Sequence, residues 1–413
     1  MRLVIVASLV VSAMTSSSTF AQDTDGRRYI GNDLQTGAAQ AVLVEGGVLA
    51  YTTQFLPVSV NGDLAGRDAE TQTAAVLAHL DAALKLGESN LSRVVKLNVC
   101  VTTPEVVSAV RKSLSKRFKM EQPPAVSFVQ SRLAREDALV AMDAVGVAFN
   151  RKRPSCDRFF SGELPGVLQF TQVASISNAP RIYISGQAEK GMTLGEATSK
   201  TLDTLRMTLD SLKLSRDHVA QVKCFLSSMS DVQAAKDAIA AFFGRHTPPC
   251  AFIEWQSSLP IEIELVVADM FTAKGIFDAE KSGEKPPHRE PLEFITPPGM
   301  NASPVFCRVV RVNDPRTIFV SGLYSREVAD GAGQVSDVFA QLQEILKFSG
   351  SDLRHLAKAT YYVSDNDAST KLNELRPKLY DPQRPPAASK AQVLGVGMSN
   401  RSLTLDMIAV PTK

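Results

Sequence analysis

Few of the residue types that commonly do chemistry stand at spacings that would let them act together. The five histidines, His79, His218, His246, His288 and His355, show no metal-ligand spacing. The five cysteines, Cys100, Cys156, Cys224, Cys250 and Cys307, include no CxxC pair, and an odd count leaves at least one thiol outside any disulfide. Cys100 and Cys224 fall inside strand-like runs, where a thiol serves as a small buried hydrophobe. No Ser/His/Asp arrangement, phosphate loop or dinucleotide fingerprint stands out. The sequence therefore implies neither a metal nor a cofactor. What recurs instead is a proline pair leading into small residues: Gln122-Pro123-Pro124-Ala125-Val126-Ser127-Phe128-Val129, then Thr247-Pro248-Pro249-Cys250-Ala251-Phe252-Ile253, then Arg384-Pro385-Pro386-Ala387-Ala388-Ser389.

A proline pair cannot continue a helix and sends the chain out extended, so each copy reads as a helix-to-strand joint. The elements around the joints repeat in order. Gln40–Val44 and Val48–Gln54 flank Gly46-Gly47 and read as a β-hairpin. A helix follows over 69–86, with Val76, Leu77, Leu80 and Leu84 at helical spacing and Gly87 after its end. The strand Val94–Val101, a second helix over 104–118, and strands near 127–130 and 138–147 complete the unit. The same series returns around Arg181–Gln187, Leu202–Leu212, Cys224–Leu226, Val232–Phe243 and Ile261–Val267, and again around Thr317–Leu323, Val338–Leu346, Ala359–Val363 and Ser402–Val410. Val101, Leu226 and Val363 each precede the second proline of their joint by 23 residues. The chain is a threefold internal repeat.

Composition narrows the class. Of 413 residues, 44% are hydrophobic and 21% charged, as in a soluble globular protein. A net charge of +2 without a Lys/Arg run argues against nucleic acid as the main partner. Arg2, the apolar run Leu3–Val11 and Thr19-Phe20-Ala21 read as a signal peptide over 1–21, implying a periplasmic or secreted protein. That run is too short to span a bilayer, so no membrane partner is expected. The expected organisation is unit one over 22–150 (its first residues, 22–35, polar and loosely held), a linker over 151–166, unit two over 167–274, a linker over 275–302 and unit three over 303–413. Each unit reads β-β-α-β-α-β-β, with two helices covering one face of an antiparallel-rich sheet. The other sheet faces can be buried by packing the three units around a pseudo-threefold axis.

This repeat resembles the RidA family (also called YjgF/YER057c/UK114), and the resemblance covers roughly 36–149, 167–272 and 303–412. It rests on Ser185-Gly186-Gln187 and Ser321-Gly322 (Thr52-Thr53-Gln54 in unit one), Gln72-Thr73, Val94-Val95-Lys96, the proline joints, and Ile261-Glu262-Ile263-Glu264. It implies an α+β fold, chorismate-mutase-like, with the three units fused into an intramolecular pseudo-trimer that needs no second copy. It also implies clefts between units, where active relatives hydrolyse 2-imino acids to 2-keto acids and ammonia. The family's carboxylate-binding arginine follows the joint, where this chain has Val126, Ala251 (Cys250 if unit two is shifted by one) and Ala388. No neutral side chain replaces a bidentate guanidinium. The acid that holds the attacking water corresponds to Asp143, Glu264 and Asp406, with Glu264 retaining full length. Thr53, Ser185 and Ser321 match the hairpin serine that contacts ligand. Gln40 matches another cleft position, though Ala38 stands where an aromatic is usual. Arg132, Arg135 and Arg384 are candidate replacement cations. The expected function is binding of a small metabolite in the clefts. An imine deaminase with a rewired site is the alternative, while a ribonuclease lacks a basic groove.

Overall fold

The computed structural model describes residues 26–33, 35–118, 122–149, 153–166 and 169–412, and the expected signal peptide lies outside them. Strand β1 (Arg27–Asp33) precedes unit one, which runs β2 (Ala38–Val44), β3 (Val48–Thr52), α1 (Ala69–Leu86), β4 (Val94–Val101), α2 (Pro104–Arg117), β5 (Ala125–Gln130) and β6 (Val140–Ala148). Strand β7 (Ser155–Phe159) leads into unit two: β8 (Val173–Ser177), β9 (Arg181–Gln187), α3 (Leu194–Ser211), β10 (Val219–Leu226), α4 (Val232–Phe243), β11 (Cys250–Glu254) and β12 (Ile261–Ala268). Helix α5 (Met270–Ser282) and β13 (Leu292–Ile295) precede unit three: β14 (Val309–Val312), β15 (Thr317–Val320), α6 (Gly331–Phe348), β16 (Leu356–Val363), α7 (Asn366–Leu379), β17 (Ala387–Gln392) and β18 (Leu403–Ala409). The stretches 22–35, 151–166 and 275–302 are thus more than loose chain: each contributes an edge strand.

Local chemistry sets the helix limits. Asp68 caps α1 by accepting from the Thr71 amide, and Pro104 opens α2, where its missing N–H costs nothing. In each unit the helix pair buries an apolar stripe against the sheet, giving three separate cores.

The expected hairpins do not form. Strands β2 and β3 do not pair with each other; β3 pairs with β6 and with β8 of unit two, whereas β2 crosses to β15 of unit three. Strand β14 likewise pairs with β9 of unit two. Gly46 (φ 151°) and Gly47 (φ 112°) make a corner rather than a tight turn, in backbone that favours glycine. Each unit's strand set therefore ends on the first strand of the following unit, plus the edge strand before it: β5-β4-β6-β3-β8-β7, β11-β10-β12-β9-β14-β13 and β17-β16-β18-β15-β2-β1, the first and third sets being joined into one twelve-stranded sheet by the Ala39–Ala125 pairing of β2 with β5. Exchange of strands around the circle closes the three units into one ring. The apolar pattern that suggested a hairpin is the same whichever partner takes the strand.

Two further apolar clusters lie on the axis. Cys100, Phe225 and Tyr362, at equivalent places in β4, β10 and β16, belong to one; Tyr51, Tyr183 and Phe319, each two residues before Thr53, Ser185 or Ser321, belong to the other.

Candidate functional site

Between the two axial clusters lies a polar hub. Strand pairing sets Asn98 opposite Asp143, Lys223 opposite Glu264 and Thr360 opposite Asp406, so the three acids occupy equivalent positions. Lys96 and Lys358 stand two residues earlier on their strands, with Gln221 in that place in unit two. All three acids and all three lysines are buried. Lys96 Nζ lies 3.0 Å from Asp406, Lys223 Nζ 3.7 Å from Asp406, and Lys358 Nζ 2.7 Å from Glu264. Asn98 Nδ2 donates to Asp143 at 2.8 Å. Lys96 also donates to Ser127 Oγ and the Val320 carbonyl, both at 2.7 Å.

The environment separates these groups. Burial pushes the Asp143 carboxyl up, opposed by Lys223 and Asn98. Burial acts the same way on Asp406, but Lys96, Lys223 and Lys358 hold it well below the usual carboxylate range. The structure therefore places Asp143, Glu264 and Asp406 around the axis, matched by three ammoniums, and not in the clefts where a water-holding acid was expected. The reason is one strand step. Glu262 and Glu264 share a face of β12, and the acid at the unit boundary is Glu262.

Glu262 was missed by the sequence reading, although the alternation Ile261-Glu262-Ile263-Glu264 marks both acids. It lies against Gly186 so closely that a Cβ there would collide with its carboxylate, and Ser389 of unit three is also adjacent to that glycine. Burial pushes its carboxyl up to about 7, helped by Glu264 and opposed by the Ser389 hydroxyl. Ala141 and Thr404 take its place in the other units.

The candidate hydroxyls act as staples between units. Ser321 Oγ accepts from the Val126 amide at 2.7 Å and donates to the Ala39 carbonyl at 2.5 Å. Ser185 Oγ accepts from the Ala388 amide at 2.7 Å and donates to the Cys307 carbonyl. Thr53 Oγ1 accepts from the Cys250 amide at 3.3 Å and donates to the Cys250 carbonyl at 2.9 Å. These bonds decide the register left open in unit two: Cys250, and not Ala251, is equivalent to Val126 and Ala388. Strand pairing agrees, matching Leu97 with Val126, Val222 with Cys250 and Ala359 with Ala388. Unit two lacks the alanine that follows the prolines in the other joints, so counting from the prolines overshoots by one. Cys250 is buried, and burial pushes its thiol up, away from the reactive thiolate.

Two clefts open at unit boundaries. The cleft between units three and one has a volume of about 300 Å³ and is bordered by Gln40, Arg111, Val126, Phe128, Ser321 and Tyr324, among others. The cleft between units one and two holds about 130 Å³ and includes Thr53, Gln54, Lys236, Cys250 and Phe252. The arginines considered as replacement anchors are elsewhere. Arg132 lies 3.6 Å from Glu254, Arg135 pairs with Asp137, and Arg384 stacks on Phe294. Of the cations that do line the clefts, Arg111 and Lys236 come from helices α2 and α4, while Arg326 is paired with Asp337 and Glu344. Arg111 stacks over the Phe128 ring at 5.3 Å and Lys236 over Phe252 at 5.6 Å. Among the described residues no group of three His, Cys, Asp or Glu could hold a metal, and no helix is long and apolar enough to cross a membrane.

Comparisons with solved structures return a Rid-family protein from Yersinia pestis (26% identity, 30% of this chain and 98% of that one, TM-score 0.27). They also return a YjgF-family protein from Neisseria meningitidis (23%, 30% and 99%, TM-score 0.23) and a YjgF/YER057c/UK114 member from Mycobacterium tuberculosis (19%, 25% and 86%, TM-score 0.22). No curated protein matches. The family model described as Endoribonuclease L-PSP matches residues 37–148 and 300–410, units one and three and more than half of the chain. With three units of one topology and two of them matched, the chain belongs to the RidA (YjgF/YER057c/UK114, Endoribonuclease L-PSP) family.

Proposed function

We propose that the protein binds small metabolites in the clefts between its units, working as a single-chain pseudo-trimer. The observation that carries this reading is the cavity of about 300 Å³ between units three and one, walled by side chains from both. The Ser321 hydroxyl there is already bonded to backbone, so recognition falls to the other polar groups of the cleft, Gln40 and Arg111 among them. A thermal-shift screen of small metabolites, followed by titration calorimetry, tests it. Binding that a cleft-filling Val126→Phe change abolishes supports the reading; a screen in which no compound raises the melting temperature overturns it.

A second reading, imine hydrolysis at the boundary of units two and three, is favoured by Glu262. A carboxyl titrating near 7 can take a proton from water and return it at neutral pH. The water oxygen would add to the imine carbon, the C–N bond would break, and ammonia and a 2-oxo acid would leave. Hydrolysis of 2-iminobutyrate generated in situ, lost in Glu262→Gln, is the expected result; equal rates in both proteins remove this reading. Cleavage of RNA has less support, since the net charge of +2 offers little for phosphates. Export is a further part of the proposal, tested by finding whether the mature chain starts after Ala21.

A further inference from the structure

Helix α5 is no part of the repeat. Among the described residues it stands between units two and three only, and it lies outside the stretches 37–148 and 300–410 that the family model matches. Its packing is thin: Thr272 and Ala273 are its buried residues, while Phe271 is 54% exposed and Phe277 half-buried. Met270, Phe271, Lys274 and Phe277 fall at i, i+1, i+4 and i+7, on one side of the helix. That side borders a groove of about 450 Å³, closed opposite by Arg153, Lys213 and His218, and sharing no lining residue with either cleft. The volume suits a small molecule.

The groove joins apolar walls to a rim of one sign. Arg153, Lys213 and Lys274 are exposed, and among the described residues none of them forms an ion pair. Lys213 Nζ lies over the Phe271 ring, 4.8 Å from its centroid. Asp217 and Asp269 act on His218 through space, yet no carboxylate borders the groove, and Asp269 is committed to Arg311 at 2.6 Å and to capping α5. The Ser215 amide donates to His218 Nδ1 at 3.2 Å and burial lowers the ring's pKa, so the neutral ring carries its proton on Nε2 as one more donor. The repeat supplies an internal comparison. Three residues before the short helical turn that follows the long helix, unit one has Glu88 (φ 62°), unit two Lys213 (φ 60°) and unit three Gly350 (φ 74°). One left-handed corner thus carries an acid, a cation and a glycine, and the cation belongs to the unit that α5 follows.

An apolar molecule would cover the rings and leave three cations unmatched, and a simple anion would do the reverse. One molecule with both parts satisfies the groove. A phosphate monoester brings about 1.5 to 2 negative charges and three acceptor oxygens at neutral pH, which three separate cations can share. We infer that this groove binds a small aromatic or apolar phosphomonoester, its body against Phe271 and Phe277 and its phosphate among Arg153, Lys213 and Lys274. The inference goes beyond the cleft reading above and does not depend on it.

Titration calorimetry of the full chain with 1-naphthyl phosphate, 1-naphthol and inorganic phosphate tests it. The ester is expected to bind about tenfold tighter or more than either of the others. Lys213→Gln/Lys274→Gln changes two exposed side chains and should bring the ester down to the affinity of 1-naphthol. Phe271→Ala should bring it towards that of inorganic phosphate, and Val126→Phe, in a cleft, should leave it unchanged. An ester no tighter than 1-naphthol, or an affinity that Lys213→Gln/Lys274→Gln leaves intact, overturns the inference. Ester binding that Val126→Phe abolishes also overturns it, while supporting the cleft reading. Sedimentation with phosphatidate vesicles by a protein that ignores the soluble ester would give the groove to a membrane surface and overturn it likewise.

Discussion

The axial hub buries its cations and the clefts half-bury theirs, and the two treat them in opposite ways. In the hub, three lysines face three carboxylates at 2.7–3.7 Å for the contacts formed, and hydroxyl, amide and carbonyl groups take remaining bonds. In the clefts, Arg111 and Lys236 rest on aromatic rings with no acid partner among the described residues. Burying a charge is costly unless it is paired, so the first arrangement is complete in itself and the second is completed by something that binds. A buried acid is therefore weak evidence for catalysis when its counter-charges are built in.

Breaking the hub should have the largest effect. Asp406→Asn leaves the ammoniums of Lys96 and Lys223 without their shared carboxylate and should cost about 3–5 kcal/mol in chemical denaturation. Burial already depresses the Lys96 pKa, so this variant should regain stability as pH rises from 7 towards 10, because its folded state then binds fewer protons than the unfolded chain. Removing a whole pair differs from orphaning one member. Lys358→Met/Glu264→Met should stay close to wild type, and a loss as large as that of Asp406→Asn would show that the hub charges do more than neutralise one another.

The staples that border the clefts come next. Ser321→Ala leaves the buried Val126 amide without its acceptor and the Ala39 carbonyl without its donor, a loss of about 1–3 kcal/mol by the same measurement. Unchanged stability would mean that water enters from the cleft and replaces the hydroxyl.

Much of this architecture is legible in the sequence, and what is not has identifiable causes. Helices α1 and α4 and strand β4 occupy the stretches that apolar spacing, Gly87 and the proline pairs mark out. The hairpins failed because a strand's alternation records that it has a neighbour and not which unit supplies it. The edge strands β7 and β13 are short and lie in Pro- and charge-rich chain, where composition speaks for a linker. At the site, Val126, Cys250 and Ala388 were found through the joints, with one residue of uncertainty that only strand register removes. The acids were displaced by two residues, because period-two alternation cannot tell the axis end of a strand face from its boundary end. Arg111 and Lys236 left no signal: an arginine on an amphipathic helix looks like every solvated arginine until the aromatic ring beneath it is known.

Glu262 tests the boundary between the two regions through pH. Its carboxyl is raised from an ordinary value near 4.5 to about 7, chiefly by burial. A raised carboxyl favours the folded state while protonated, so its contribution is complete below about pH 4.5 and is lost as pH climbs through about 7. Wild-type stability should therefore carry a downward slope in that window that Glu262→Gln flattens, while Asp406 contributes in the opposite sense only at strongly acidic pH. Identical pH profiles for wild type and Glu262→Gln would place that carboxylate in water.

The smallest expected effect on stability is also the sharpest test of the comparison. Arg111→Gln removes a cation that has no carboxylate partner, so the fold loses the stacking on Phe128, about 1 kcal/mol or less, and a contact with the Tyr324 hydroxyl, which keeps Thr404 as a partner. No buried acid is orphaned, because none was waiting for that guanidinium. A loss of several kcal/mol would mean that Arg111 is held by the fold as the hub lysines are, and the distinction between the regions would fail. Near-wild-type melting together with a changed response to an added small metabolite is the opposite pattern. A group maintained for packing should register in the melting temperature of the empty protein, and a group maintained for a ligand should register only in how far that ligand raises it.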